Sequence, residues 1–170
     1  PMLAQLKTFL NENKIKEGSV YDIIQASDKT HWIATYKDGL LRGSKEHFRQ
    51  YTIDDGLPSN RIQGIVEDQK GLIWFATFRG ITSFDGSQFR NYGGENGIPK
   101  HRFEDAFCDS KGTVWFSSWG SGVVGFDGAT WTSLDTSDGL ADNRVYNTEE
   151  SADGRLHFST TSGLTFYQPT

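Results

Sequence analysis

Cysteine is nearly missing: Cys108 is the only one in 170 residues, so no internal disulfide can form and any core has to hold by packing. No apolar run approaches membrane-spanning length, which argues against membrane insertion of this segment. No signal-peptide pattern is present, and the opening Pro1-Met2 makes that absence uninformative about targeting. Positive charge is in the minority. Seventeen Lys and Arg against 22 Asp and Glu leave a formal charge of −5, which disfavours nucleic acid and anionic membrane, since both are attracted by cationic surface. Lysines cluster only at Lys7–Lys16. Metal-ligand spacing, a nucleophile elbow, a phosphate loop and a dinucleotide fingerprint are all missing, so no metal and no cofactor is expected.

Aromatics and glycine are abundant. Aromatic residues make up 14% of the chain and 19 residues are glycine, a balance that belongs to a folded chain and not to a disordered one. They recur. Trp32, Trp74, Trp115 and His157 are 42, 41 and 42 residues apart, and Gly39, Gly80, Gly122 and Gly163 follow at 41, 42 and 41. Asp55-Gly56-Leu57, Asn96-Gly97-Ile98 and Asp138-Gly139-Leu140 keep the same beat, as do Asn60-Arg61, His101-Arg102 and Asn143-Arg144. Several independent markers in one phase make a tandem repeat.

Within one unit the pattern reads as strands over Ile62–Glu67, Leu72–Thr77, Ile81–Phe84 and Gln88–Tyr92, separated by Asp- and Gly-bearing turns. Four short antiparallel strands every 41–42 residues predict an all-β fold, a β-propeller of four four-stranded blades. The whole chain, 1–170, reads as one domain with blades at about 20–60, 61–101, 102–143 and 144–170 plus 5–19. The last copy ends before its fourth strand, while Gln5–Ser19 lies in register with His47–Arg61. The expectation is that the N-terminal strand closes the last blade, which would remove two exposed edges; an amphipathic helix over the same residues is the competing reading. Four blades fit a closed monomer or a dimer forming an eight-bladed ring.

Asp68, Asp85, Asp109, Asp127 and Asp153 stand at or near glycine turns, where a carboxylate accepts local backbone hydrogen bonds. Gly93–Gly97 reads as a flexible connection between blades. The Trp row reads as packing between blades, and His157 as a satisfied histidine in a weaker copy. Candidate ligand-binding residues come from the symmetry. Arg61, Arg102 and Arg144, preceded by Asn60, His101 and Asn143, open the first strand of each copy, which in a propeller lines the axis. They would ring one mouth and favour an anionic or carboxylate-bearing ligand. The alternative is that each arginine ties to a neighbouring Asp-Gly loop at Asp55 or Asp138. Tyr36, Phe78 and Trp119 align in one turn and form a candidate rim that stacks on sugar faces or on a protein partner. His101, with Glu104 and Asp105 nearby, is the nearest thing to an acid-base group, and no catalytic residue is assigned.

Asp55–Phe89, DGLPSNRIQGIVEDQKGLIWFATFRGITSFDGSQF, resembles the two-component regulator propeller repeat. The resemblance falls on Gly56–Ile62, Glu67-Asp68 with Gly71, Trp74–Thr77 and Phe84–Gly86; in the last copy Ala141 replaces proline and His157 replaces tryptophan, and Lys29 replaces a turn glycine in the first. The resemblance implies a sensor-type module of signal transduction, similar to the periplasmic parts of bacterial hybrid histidine kinases, hence a periplasmic or extracellular location. Three expectations follow. The first is a non-catalytic module binding a glycan or small anionic ligand at the channel mouth; the second, a structural propeller that self-associates as a dimer; the third, a lyase or glycosidase.

Overall fold

The computed structural model describes residues 7, 8, 10–12, 19–44, 47–99 and 101–169. β-branched and aromatic residues between tight turns form four antiparallel sheets, each a meander in sequence order. The first sheet is β1 (Val20–Gln25), β2 (His31–Thr35), β3 (Leu40–Ser44) and β4 (His47–Tyr51). The second is β5 (Ile62–Glu67), β6 (Ile73–Thr77), β7 (Gly80–Phe84) and β8 (Phe89–Tyr92). The third is β9 (Phe103–Cys108), β10 (Val114–Ser118), β11 (Val123–Phe126) and β12 (Trp131–Leu134). The fourth has β13 (Val145–Glu150), β14 (Leu156–Thr160) and β15 (Gly163–Tyr167). The strand pattern expected from sequence is present to within a residue or two at each end.

The first strand of each sheet is innermost: β1 packs on β5, β5 on β9 and β9 on β13. No comparable packing joins β13 back to β1, so the array is propeller-like and all-β, and among the described residues it does not close into a ring. The expected closure by an N-terminal strand is corrected at residues 7, 8 and 10–12, which are helical. Leu10, 3% exposed, packs on Ile33 and Leu41 of the first sheet. One apolar side chain set on a sheet face is what a short amphipathic segment supplies, whereas among the described residues no strand pairs with the outer edge of β15 in the three-stranded fourth sheet. The rest of the Gln5–Ser19 match, except Ser19, lies outside the described residues.

The Trp row is packing. Trp32, Trp74 and Trp115 are all buried, in the clusters that fill the space between successive sheets. A buried indole N–H needs an acceptor, and the turn aspartate provides it. Asp68 Oδ2 accepts from Trp74 Nε1 at 2.9 Å while its Oδ1 accepts from Lys70 N and Leu72 N. Asp109 repeats this with Trp115, Lys111 and Thr113. The exposed turns use the same chemistry. The amides of Gln88 and Ser87 hold the Asp85 carboxyl down at about 2, and Asp127 accepts from Ala129 and Thr130. His157 fills the fourth tryptophan position edge-on to Phe166, but its Nε2 is buried without a partner, so the expected satisfied histidine is not found.

The joints between sheets alternate. Asp22 accepts from Ile65 N across the first joint, and Glu67 accepts from Ser27 N and Oγ. Asp105 accepts from Thr148 N across the third joint, and Glu150 accepts from Ser110 N and Oγ. Asp22 and Asp105, Ser27 and Ser110, and Glu67 and Glu150 are each 83 residues apart, so the two-sheet unit is itself repeated. The middle joint is built differently. Gly64 stands where the aspartates would be, and a Cβ there would lie 2.8 Å from Ala106 N. The inner strands therefore meet backbone to backbone, and Gln69 reaches the carbonyl of Ser110.

Two outcomes are expected. Lys29 has φ 68 where Gly71, Gly112 and Gly154 have 81, 87 and 78. The left-handed conformation costs a side chain roughly 1–2 kcal/mol, and glycine's extra unfolded-state entropy offsets about half of that. Lys29→Gly should therefore raise the unfolding free energy by up to about 1 kcal/mol, read as a higher midpoint in thermal melting; a lower midpoint counts against this account of the turn. Burial, with smaller contributions from Asp22 and Glu149, raises the Asp105 carboxyl pKa. A raised folded-state pKa means that stability is full below the ordinary carboxylate range and is lost as pH rises through the folded value. An asparagine at this position keeps the acceptor for Thr148 and does not ionise. The urea midpoint of Asp105→Asn should therefore gain on the parent from pH 3.5 to pH 7, and a constant difference would contradict it.

Candidate functional site

The arginine row and the rim aromatics meet because of register. The carbonyl of Arg61 accepts from Phe78 N, that of Arg102 from Trp119 N and that of Arg144 from Thr161 N. Buried Ser19, which opens the first copy without an arginine, accepts from Tyr36 N. Each first strand is thus tied under the hairpin between the second and third strands of its own sheet, and the guanidiniums of Arg61 and Arg102 lie against the hairpin rings. Arg61 sits between Tyr36 and Phe78, at 4.2 and 4.6 Å from the ring centroids. Arg102 lies 4.3 Å over Trp119 and is ion-paired with Glu104. Arg144 pairs with Asp142 at 3.3 Å and is half-exposed. None of the three ties to Asp55 or Asp138. Asp55 accepts from Arg49 and Thr52, and Asp138 from Asp135.

The ladder extends at both ends, Tyr36 stacking on Tyr21 and Trp119 meeting Tyr146 edge-on. It is interrupted between Phe78 and Arg102. There a cleft of about 590 Å³ opens between the second and third sheets, with Phe78 and Trp119 on its walls and Arg102 and His101 between them. Four of the nine sequence candidates therefore share one cavity. Arg61 touches the wall residue Phe78 from the other side, and Tyr36 and Arg144 do not line the cleft. The remaining two are structural. Asn60 Oδ1 accepts from Ile53 N and Asn143 Oδ1 from Thr136 N, both at 2.8 Å.

Arg79, Glu95, Gly93, Gly94 and Pro99 also line the cleft, and sequence symmetry missed them. Their signal lay in departures from the repeat: Gly93 stands where Thr52 and Asp135 cap the other connectors, and His101 where Asn60 and Asn143 stand. Chemically the cleft offers two ring faces, two guanidiniums, an imidazole and a carboxylate. Aromatic faces stack on sugar rings and guanidinium forks hold carboxylates. Among the described residues no group of three or more His, Cys, Asp or Glu is placed to hold a metal, and no helix is long and apolar enough to cross a membrane.

Residues 56–79 match the family model of the two component regulator propeller. No curated protein matches the chain. Among solved structures, the chain superposes with a TM-score of 0.81 and 23% identity on a protein described as the extracellular domain of a hybrid two component system, BT3049 from B. thetaiotaomicron, covering 90% of this chain and 22% of that one. A second such domain, BT4673 from the same organism, gives 0.72 and 20%, with 87% and 25% covered. The chain thus spans about a quarter or less of these relatives. Virginiamycin B lyase from Staphylococcus aureus, with quinupristin, gives 0.67 and 20%, covering 91% of this chain and 58% of the lyase. The fold is nearer to the extracellular domains of these two component systems than to the lyase, and residues 56–79 match the two component regulator propeller repeat.

Proposed function

We propose that this chain is a non-catalytic, sensor-type binding module of extracytoplasmic signal transduction, holding a glycan or small anionic ligand in the cleft between its second and third sheets. The observation that carries this reading is the meeting of Phe78, Trp119, Arg102 and His101 in one cavity of about 590 Å³, a size that suits a small ligand. Its two aromatic walls suit sugar faces, and Arg79 and Arg102 suit a carboxylate on the same ring. The description of the superposing domains as extracellular supports the location. Among the described residues that line the cleft, Glu95 and His101 are the acid-base groups of carboxylate or imidazole type, which gives the lyase or glycosidase reading less to work with than a binding role.

Self-association as a dimer is the second reading. It is favoured by Tyr21 and Ile23 on β1 and by Tyr146, Leu164 and Phe166 on the fourth sheet, all large apolar side chains about half exposed. An eight-bladed ring requires two chains.

Titration calorimetry with trigalacturonate and with neutral maltotriose tests the binding reading. The acidic sugar should bind more tightly, and Trp119→Ala should weaken it about 10- to 30-fold, the loss of roughly 1.4–2 kcal/mol that a stacking anchor carries. Equal binding by the variant would remove Trp119 from the site. Light scattering tests the dimer: a species of twice 19.1 kDa supports it, and a sole species of 19.1 kDa rejects it.

A further inference from the structure

Three connectors link successive sheets, and each carries a 3-10 turn ending in a left-handed glycine, Gly56, Gly97 or Gly139. In the first connector three side-chain bonds tie the turn: Asp54 N to Thr52 Oγ1, Thr52 N to Asp55 Oδ2, and Ile53 N to Asn60 Oδ1. The third repeats all three, as Ser137 N to Asp135 Oδ1, Asp135 N to Asp138 Oδ2, and Thr136 N to Asn143 Oδ1. The middle connector keeps one, Gly93 N to Asn96 Oδ1 at 3.2 Å. Gly93 has no side chain to offer as a cap, and His101 makes no bond to Gly94 N among the described residues. The missing asparagine bond is the one that joins a connector to the start of the next inner strand, seven residues on.

His101 instead lies in the cleft wall. Its ring rests on Gly120, where a Cβ would stand 3.3 Å from Nδ1 and 3.4 Å from Cε1. The aligned residues in the copies opened by Asn60 and Asn143 are Arg79 and Ser162, so of these three hairpins only the one beside His101 has a glycine under the ring. Gly93, Gly94 and Glu95, which lack the bond to the next inner strand, line the same cleft. One exchange, asparagine to histidine, thus releases the connector and adds a ring to the wall.

We infer that His101 is the positioning residue that opens the cleft: an asparagine in its place ties the connector to the inner strand at the other joints, and its histidine leaves residues 93–97 standing off as a wall. This rests on the reading of the cleft as the binding site, and it concerns what makes that site and not which ligand fills it. His101→Asn should restore the bond from Gly94 N and draw the connector onto the mouth.

Amide hydrogen exchange by NMR on the full chain provides the ligand-free test. In His101→Asn the Gly94 amide should slow tenfold or more, with a raised melting temperature; in Asn60→His and Asn143→His the Ile53 and Thr136 amides should speed up by a similar factor. An unchanged Gly94 rate in His101→Asn overturns the inference, as do unchanged Ile53 and Thr136 rates in the reciprocal variants. The second arm is trigalacturonate binding. If the parent binds, His101→Asn should bind at least tenfold more weakly. Undiminished binding with a protected Gly94 overturns the link between tie and cleft. A parent that binds no sugar counts against the glycan reading, while the exchange rates still decide the role of His101.

Discussion

A tryptophan indole buried between sheets has to bring its N–H out of water with a partner, and the rest of this array depends on how that is done. In the second and third sheets Asp68 and Asp109 each answer both the indole and the amides of their own turn, so there the β-turn, the strand that follows it and the packing between sheets are set by one carboxylate. An orphaned buried donor would cost roughly 1–3 kcal/mol, and a lost indole about 3–5 kcal/mol. Against a total stability on the order of 5–15 kcal/mol, a sheet without this pair would have little to hold it against its neighbour. The chain has no disulfide to compensate.

Given that packing, the joints are free to differ, and they do so in alternation. The outer two are pinned by a carboxylate on a backbone amide and a glutamate clasp on a serine. The middle one trades these for the close approach at Gly64. Above that joint the middle connector makes fewer side-chain bonds than the other two, and its Gly93, Gly94 and Glu95 line the cleft.

The strands, their turns and the bonds of the turn aspartates to local amides were readable from sequence, because each depends on neighbours a few residues away; the bonds of Asp68 and Asp109 to buried indoles were not. The arginine and aromatic rows were also readable as rows. Their juxtaposition was not: Arg61 between Tyr36 and Phe78 depends on a backbone bond between the first strand and a hairpin 17 residues further on. The competing idea of arginines on Asp-Gly loops was chemically reasonable and failed because Asp55 and Asp138 are already occupied by their own turns. The N-terminal strand match failed for a different reason. Register with a degenerate copy says nothing of whether a sheet edge is within reach, and Leu10 found the face of the first sheet instead.

By itself the amino-acid order determined a repeat of four-stranded sheets, its spacing and the positions that carry polar chemistry, since periodic burial and turn geometry are local properties. Only the tertiary structure decided which of those positions share a cavity. Phe78, Arg102 and Trp119 belong to two different sheets, and what brings them around one space is the joint between those sheets, a long-range contact that no period of 41 or 42 residues encodes. The same packing placed Asn60 and Asn143 on their connectors and His101 in the lining of the cleft.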